Sequence, residues 1–218
     1  WRLAMPSAVG MPVLADLTGD GLLDILVNES GTANLHLYEF NFGSPTLAWT
    51  ASVSTTLGIY GSPAVADIDG LQPGGDPGPE IAITSSGWLH VLDADGSPLH
   101  ATALDAGSAG GVSIADLDGD GEVALATTMY WSGGGKIYAA NADGTLLWSA
   151  PALDNSPLSV SVMDLEGDGV YEVAWNGAVG GFTIFNGADG TVLFNEPHSE
   201  VISQTGSDYP VIADVDLD

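Results

Sequence analysis

Apolar residues occur along this chain in short clusters that are separated by glycine, proline and acidic residues. Most clusters hold only a few residues, and they lack the three-to-four-residue spacing of an amphipathic helix. Short apolar clusters bounded by glycine-rich turns are typical of β-strands. The pattern therefore predicts an all-β fold that is built from many short strands.

The clusters recur in a fixed order along the chain. In one unit, "SIA" at 113–115 is followed by an acidic loop, then by "VALAT" at 123–127 and "KIYAAN" at 136–141. The turn "NADGT" then leads to "LLWS" at 146–149. An Asp-Gly pair between apolar clusters indicates a tight hairpin, because glycine accepts a positive φ. Each unit therefore predicts four antiparallel strands.

One acidic loop follows the first cluster of each unit, and these loops define a repeat. They occupy residues 16–24, 67–80, 116–122, 164–172 and 214–218, and their first aspartates are 51, 49, 48 and 50 residues apart. Four short strands in a period of about 50 residues predict the four-stranded antiparallel blades of a β-propeller. A β-solenoid or a sandwich is the alternative, but the strand count and the period favour the blade.

Four repeats are visible, and the two ends of the chain are out of register with them. Trp1 matches Trp49 and Trp148 at the end of a fourth strand, and Asp218 lies inside a fifth acidic loop. We therefore expect residues 1–218 to form a single β-propeller region that is truncated at both ends. The intact ring is expected to contain about seven blades.

The acidic loops crowd negative charges that repel one another in the absence of a cation. In the fourth loop, "DLEGDGVYE", carboxylates occupy positions one, three, five and nine. Alternate residues of an extended segment point to the same side, and the glycine after position five permits a sharp turn. Ca²⁺ takes about six to eight oxygen ligands, mostly from carboxylates and carbonyls. The loops therefore predict Ca²⁺ sites.

Another loop type and other metals fit this pattern less well. An EF-hand needs a glutamate at position twelve, where the first, third and fourth loops have Val27, Thr127 and Trp175. Mg²⁺ demands a stricter octahedral geometry, and transition metals usually require His or Cys, which these loops lack.

The motif Asp-x-Asp-Gly-Asp-Gly-x-x-Asp/Glu, followed by an apolar strand, resembles the FG-GAP or VCBS-type repeats of integrin-α-like β-propellers. In that family the loop binds Ca²⁺ between the first two strands of a blade. The resemblance implies Asp16, Thr18, Asp20 and Asp24 as ligands in the first loop and Asp164, Glu166, Asp168 and Glu172 in the fourth.

The other three loops depart from the motif. The second loop contains the insertion "GLQPGG", and its candidate ligands are Asp67, Asp69, Asp76 and Glu80. We interpret the third loop as two residues short, with Asp116, Asp118 and Asp120 as candidate ligands and Glu122 at position nine. The fifth loop shows only Asp214, Asp216 and Asp218.

The charge of the chain excludes several classes of partner. Its formal net charge is −27, with Arg2 and Lys136 as the only fixed cations. Nucleic acid and anionic membrane surfaces would be repelled. No apolar run reaches the roughly 18 residues of a transmembrane helix, so we predict no transmembrane segment.

We predict no catalytic residues and no organic cofactor. His36, His90, His100 and His198 do not neighbour a recurring nucleophile, and we expect them to pack between blades or lie on the surface. The sequence favours a non-enzymatic, extracellular or cell-surface propeller that binds Ca²⁺ and acts as an adhesion or binding scaffold for a protein or glycan.

The alternative function is a carbohydrate-active enzyme similar to propeller polysaccharide lyases, or the substrate-binding part of such an enzyme. Trp88, Tyr130, Trp131 and Trp175 could form a sugar platform, although packing between blades explains them equally simply.

Overall fold

The computed structural model describes residues 10–29, 32–40, 43–53, 61–70, 75, 78–131, 134–152, 159–177, 181–196 and 210–211. These residues form 17 strands and no helix. The strands fall into four antiparallel sheets, each with four consecutive strands that pair in chain order, and one sheet has a further short strand that pairs off this path. The prediction of an all-β fold with four-stranded antiparallel units is confirmed.

Each sheet corresponds to one sequence repeat and is called a blade below. Blade one contains β1 (Val13–Ala15), β2 (Asp24–Asn28), β3 (Asn34–Glu39) and β4 (Thr46–Ser52). Blade two contains β5 (Ala64–Ala66), β6 (Glu80–Ser85), β7 (Trp88–Leu92) and β8 (Pro98–Ala103). Blade three contains the short β9 (Ser108–Ala109), β10 (Ser113–Ala115), β11 (Ala124–Trp131), β12 (Gly134–Asn141) and β13 (Leu146–Ala152). Blade four contains β14 (Ser161–Met163), β15 (Glu172–Gly177), β16 (Gly181–Phe185) and β17 (Val192–Glu196).

The first strands of successive blades lie beside one another. β5 contacts both β1 and β10, and β10 contacts β14. The Ser113 hydroxyl donates to the Val160 carbonyl oxygen at 2.7 Å, and the Gly111 amide donates to the Ser159 hydroxyl at 2.9 Å. The first four acidic loops connect these first strands to the second strands, so these four loops lie on the same rim.

The hydrophobic core lies between the blades. Strand β6 illustrates this arrangement: Ile81 and Ile83 pack with Leu26, Leu35 and Leu37 of blade one. Its intervening residue, Ala82, packs toward blade three with Leu125 and Ala140. This alternation follows from the two-residue period of a strand and explains why the second and third strands are apolar on both faces.

A residue of the outermost strand hydrogen-bonds to the hairpin turn of the next blade. Trp49 donates its indole N–H to the Ala94 carbonyl oxygen at 3.1 Å, and Trp148 donates to the Gly187 carbonyl oxygen at 2.5 Å. His100 occupies the same register and places Nε2 2.6 Å from the Ala142 carbonyl oxygen. The repeated tryptophan of the sequence therefore joins neighbouring blades.

The glycine-containing sequence "TTMYWSGGGK" at residues 127–136 predicts a long hairpin connection, and this prediction is wrong in extent. Strand β11 continues to Trp131 and pairs with Gly134, so most of the segment is strand. The extension also pairs with β9, which the sequence pattern did not predict. Few turn-forming residues occur before Ser132, and this was the signal for a longer strand.

Candidate metal centres

In each of the first four acidic loops, the first aspartate accepts hydrogen bonds from backbone amides of its own loop. In the first loop, Asp16 Oδ1 accepts the amides of Gly19 and Asp20 at 2.8 and 3.1 Å, and its Oδ2 accepts the Gly21 amide at 2.8 Å. Gly19 and Gly21 have φ values of 72° and 83°, which L side chains rarely adopt. These two glycines let the chain turn tightly around the carboxylate.

The ninth-position carboxylate closes the loop from the start of the second strand. Asp24 is buried, pairs with Ala15 across the sheet, and accepts the amides of Leu17 and Thr18 on one oxygen, both at 3.0 Å. Its other carboxylate oxygen has no hydrogen bond with these amides. The position therefore combines a structural hydrogen-bonding role with a possible ligand oxygen, whereas the sequence pattern suggested only a ligand.

The second loop keeps this arrangement despite its insertion. Glu80 Oε2 accepts the amides of Ile68 and Asp69 at 2.5 and 3.1 Å. Asp67, Asp69 and Glu80 each offer an oxygen atom within 4.8 Å of the others. The insertion ends at Gly75, where an added Cβ would lie 1.7 Å from the Asp69 carbonyl oxygen. The insertion thus leaves these three carboxylates together.

The interpretation of the third loop as two residues short is wrong. Ala115 pairs with Ala124, just as Ala15 pairs with Asp24, so the loop has the usual length and position nine is Ala124. Glu122 lies at position seven, and its amide donates to Asp120 at 2.8 Å. Glu122 was misleading because it is the acidic residue nearest to position nine in the sequence. Alignment of the strand residues that follow the loop would have identified Ala124 at position nine.

The third loop nevertheless brings three carboxylates together. Asp116, Asp118 and Asp120 offer oxygen atoms within 4.8 Å of one another. Asp116 accepts the amides of Gly119 and Gly121 at 2.8 and 2.9 Å, which is the pattern of the first loop. The loop conformation therefore forms without a carboxylate at position nine.

In the fourth loop, Asp164 accepts three backbone amides, those of Gly167, Asp168 and Gly169, at 2.6 to 3.1 Å. Glu172 is buried and accepts the Leu165 amide at 2.7 Å. Glu166 and Asp168 are exposed. In the described part of the chain, this loop does not hold three carboxylate oxygens as close together as the second and third loops do.

Negative charge is electrostatically unfavourable in three of the loops. Burial raises the pKa of Glu80, and the charges of Asp69 and Asp67 add to the effect. Burial and the Glu166 carboxylate likewise raise the pKa of Glu172, and burial with Asp120 and Asp116 raises that of Asp118. A bound cation would oppose all three effects, and the all-oxygen donor set matches the preference of Ca²⁺. The residues present therefore fit a Ca²⁺ ion.

Four of the predicted ligands lie outside the described residues. They are Asp76 of the second loop and Asp214, Asp216 and Asp218 of the fifth. The roles of Thr18 and of all other predicted ligands as metal-binding groups remain predictions.

The side chains considered for a sugar platform are spread over different environments. Trp175 is buried in the core between blades three and four, whereas Trp88 is 43% exposed. Trp131 lies near Lys136, whose ammonium is 6.0 Å from the indole centroid and 2.7 Å from Asp105 Oδ2. This lysine is therefore already paired with a carboxylate.

Comparison with known proteins supports the fold class and then a specific repeat. BBS1N in its complex with ARL6DN has a TM-score of 0.60 and 12% identity, over 86% of this chain and 57% of that chain. The exotype rhamnogalacturonan lyase YesX has a TM-score of 0.60 and 20% identity, over 85% of this chain and 31% of that chain. Rhamnogalacturonan lyase PL11 of Bacillus licheniformis has a TM-score of 0.53 and 15% identity, over 87% of this chain and 51% of that chain.

These neighbours are β-propeller proteins, so the four sheets have the β-propeller fold. Residues 16–70 match the family model of the FG-GAP-like repeat, and the predicted FG-GAP-type repeat is confirmed there. The chain spans about a third to just over half of the length of the three solved proteins. No curated protein sequence matches this chain.

Proposed function

We propose that this chain is a Ca²⁺-stabilised β-propeller segment that acts outside the cytosol as a binding or adhesion scaffold for a protein or glycan. The observation that carries the proposal is the convergence of carboxylates in the second and third loops, each wrapped by backbone amides. Such crowding is unfavourable without a cation, which makes a divalent ion the expected occupant.

The repeat type supports an extracellular setting, because FG-GAP repeats are typical of extracellular proteins. Within the described residues no helix is long and apolar enough to span a membrane. Extracellular Ca²⁺ modules work with dissociation constants of about 10⁻⁴–10⁻³ M, which suits partly exposed loops.

The test is a thermal melt with excess Ca²⁺, with excess Mg²⁺ and with a chelator. At a hundredfold excess over the dissociation constant, each occupied site adds about 2.7 kcal/mol to the free energy of unfolding. We expect a large rise of the melting temperature with Ca²⁺ and a smaller one with Mg²⁺. An unchanged melting temperature would show that the loops are solvated turns.

A second candidate function is carbohydrate depolymerisation or substrate binding, because two of the structural neighbours are rhamnogalacturonan lyases. Against it, Lys136 is paired with Asp105 and lies in a chain of strongly negative charge, which disfavours an acidic polysaccharide. An assay for unsaturated products from rhamnogalacturonan, run beside a glycan-binding array, distinguishes the two functions. Product formation would favour the enzyme, and binding without products would favour the scaffold.

A further inference from the structure

The third and fourth acidic loops are joined by a backbone hydrogen bond. The Tyr171 amide donates to the Asp116 carbonyl oxygen at 3.2 Å. Asp116 is the first residue of the third loop, and Tyr171 immediately precedes Glu172, which closes the fourth loop. The bond therefore connects a candidate ligand residue in one blade to the neighbour of a candidate ligand residue in the next.

The two loops also share a common support. A Cβ added to Gly187, in the hairpin turn of blade four, would lie 2.0 Å from the Tyr171 carbonyl oxygen and 2.5 Å from that of Leu117. A Cβ added to Gly119 would lie 3.1 Å from Val170 Cγ2. The backbones of the two loops are thus packed closely, and a shift in one displaces the other.

The other described pairs of adjacent loops do not contain this bond. In the second loop the residue before the closing glutamate is Pro79, which has no amide hydrogen to donate to the first loop. In the third loop the corresponding residue is Val123, and within the described residues its amide makes no bond to Asp67 of the second loop. Among the described loops, the bond therefore occurs only between the third and fourth, in blades three and four.

We propose that ion binding at the third and fourth loops is positively coupled through the Asp116–Tyr171 bond, an inference that rests on the proposed Ca²⁺ sites. An ion held by the Asp116 side chain restrains the Asp116 carbonyl, which in turn restrains Tyr171 and the entry of Glu172 into β15. Part of the ordering that the fourth site requires is then completed when the third site fills. The coupling is reciprocal, because the same free energy links the two binding events.

The experiment is hydrogen–deuterium exchange of the whole chain at increasing Ca²⁺, with the midpoint of protection measured separately for each loop. Asp120→Asn impairs the third site and keeps the acceptor oxygen for the Glu122 amide. We expect it to raise the Ca²⁺ midpoint of the fourth loop about fivefold, at the lower end of typical couplings. Asp168→Asn should raise the midpoint of the third loop by a similar factor.

Two substitutions at one position isolate the bond itself. Tyr171→Pro removes the amide donor and introduces the residue that the second loop already carries there, Pro79. Tyr171→Ala keeps the donor and serves as the matched control. In the Tyr171→Pro background, Asp120→Asn should no longer shift the midpoint of the fourth loop, whereas in the Tyr171→Ala background the shift should persist. Asp69→Asn in the second loop should leave the midpoint of the third loop unchanged.

The outcomes separate this inference from the proposed function. Absence of Ca²⁺-dependent protection in every loop would overturn the Ca²⁺ sites themselves. A second outcome is Ca²⁺-dependent protection of both loops in which Asp120→Asn does not shift the Ca²⁺ midpoint of the fourth loop. That outcome would leave the Ca²⁺ sites intact and overturn the coupling. Coupling that survives in Tyr171→Pro would also overturn it, since the backbone bond would then not transmit the effect.

Discussion

The third and fourth acidic loops have the same length and the same backbone turns, but they differ at position nine. In the fourth loop the buried Glu172 accepts the Leu165 amide, while in the third loop Ala124 occupies that place. Both loops still fold around their first aspartates, Asp116 and Asp164. The first aspartate and the two glycines therefore determine the loop conformation, whereas the ninth-position carboxylate adds a second set of hydrogen bonds and a candidate ligand oxygen.

The largest effect is expected where the two loops share their support. Gly187→Ala would place a methyl group against the Tyr171 and Leu117 carbonyl oxygens, and backbone atoms cannot be moved by rotating a side chain. We expect a loss of about 1–3 kcal/mol or more in the free energy of unfolding. Denaturant unfolding in the presence of a chelator measures it without any ion effect.

The matched control is Ala142→Gly, because Ala142 accepts the corresponding hydrogen bond, from His100, in the turn of blade three. This change should lower the free energy of unfolding by no more than about 1 kcal/mol. A destabilisation as large as that of Gly187→Ala would contradict the steric explanation.

Glu172→Ala makes the fourth loop resemble the third. The change removes the carboxylate that accepts the Leu165 amide, and a hydrogen bond to a charged group typically contributes about 1.5–3 kcal/mol to the free energy of unfolding. It also removes a candidate ligand, so the increase in stability on adding Ca²⁺ should shrink. Thermal melts with and without Ca²⁺ measure both effects.

Glu172→Gln is the control for this prediction, since it keeps an acceptor oxygen and removes the charge. With a chelator it should be at least as stable as the parent, because it relieves the repulsion from Glu166. Loss of stability equal to that of Glu172→Ala under the chelator would show that the charge, and not the hydrogen bond, closes the loop.

Ala124→Asp makes the third loop resemble the first and should have the smallest effect. The new carboxylate would occupy the place of Asp24, with the Leu117 and Asp118 amides in the positions of its two donors. We expect tighter Ca²⁺ binding by about tenfold, or about 1.4 kcal/mol, which titration calorimetry measures. Ala124→Asn is the uncharged control, and an equal gain with it would argue against an added ligand.

The sequence predicted most of the architecture, because strands and hairpins depend on local patterns. The turn "NADGT" lies between β12 and β13, as expected from its Asp-Gly pair. The third loop was misassigned because acidic residues were counted and strand register was not, so Glu122 was preferred to Ala124. Contacts between blades, such as Tyr171 with Asp116, depend on tertiary packing and leave no local signal.

The placement of the hydrophobic clusters between blades has a consequence for folding. Ile81 and Ile83 are buried by blade one, whereas Ala82 and Val91 of the same blade are buried with residues of blade three. A single excised blade would expose both of these faces to water and retain no core of its own. The smallest cooperative folding unit of this chain is therefore expected to be a pair of adjacent blades, and stability should spread along the array by nearest-neighbour coupling, as it does in repeat proteins.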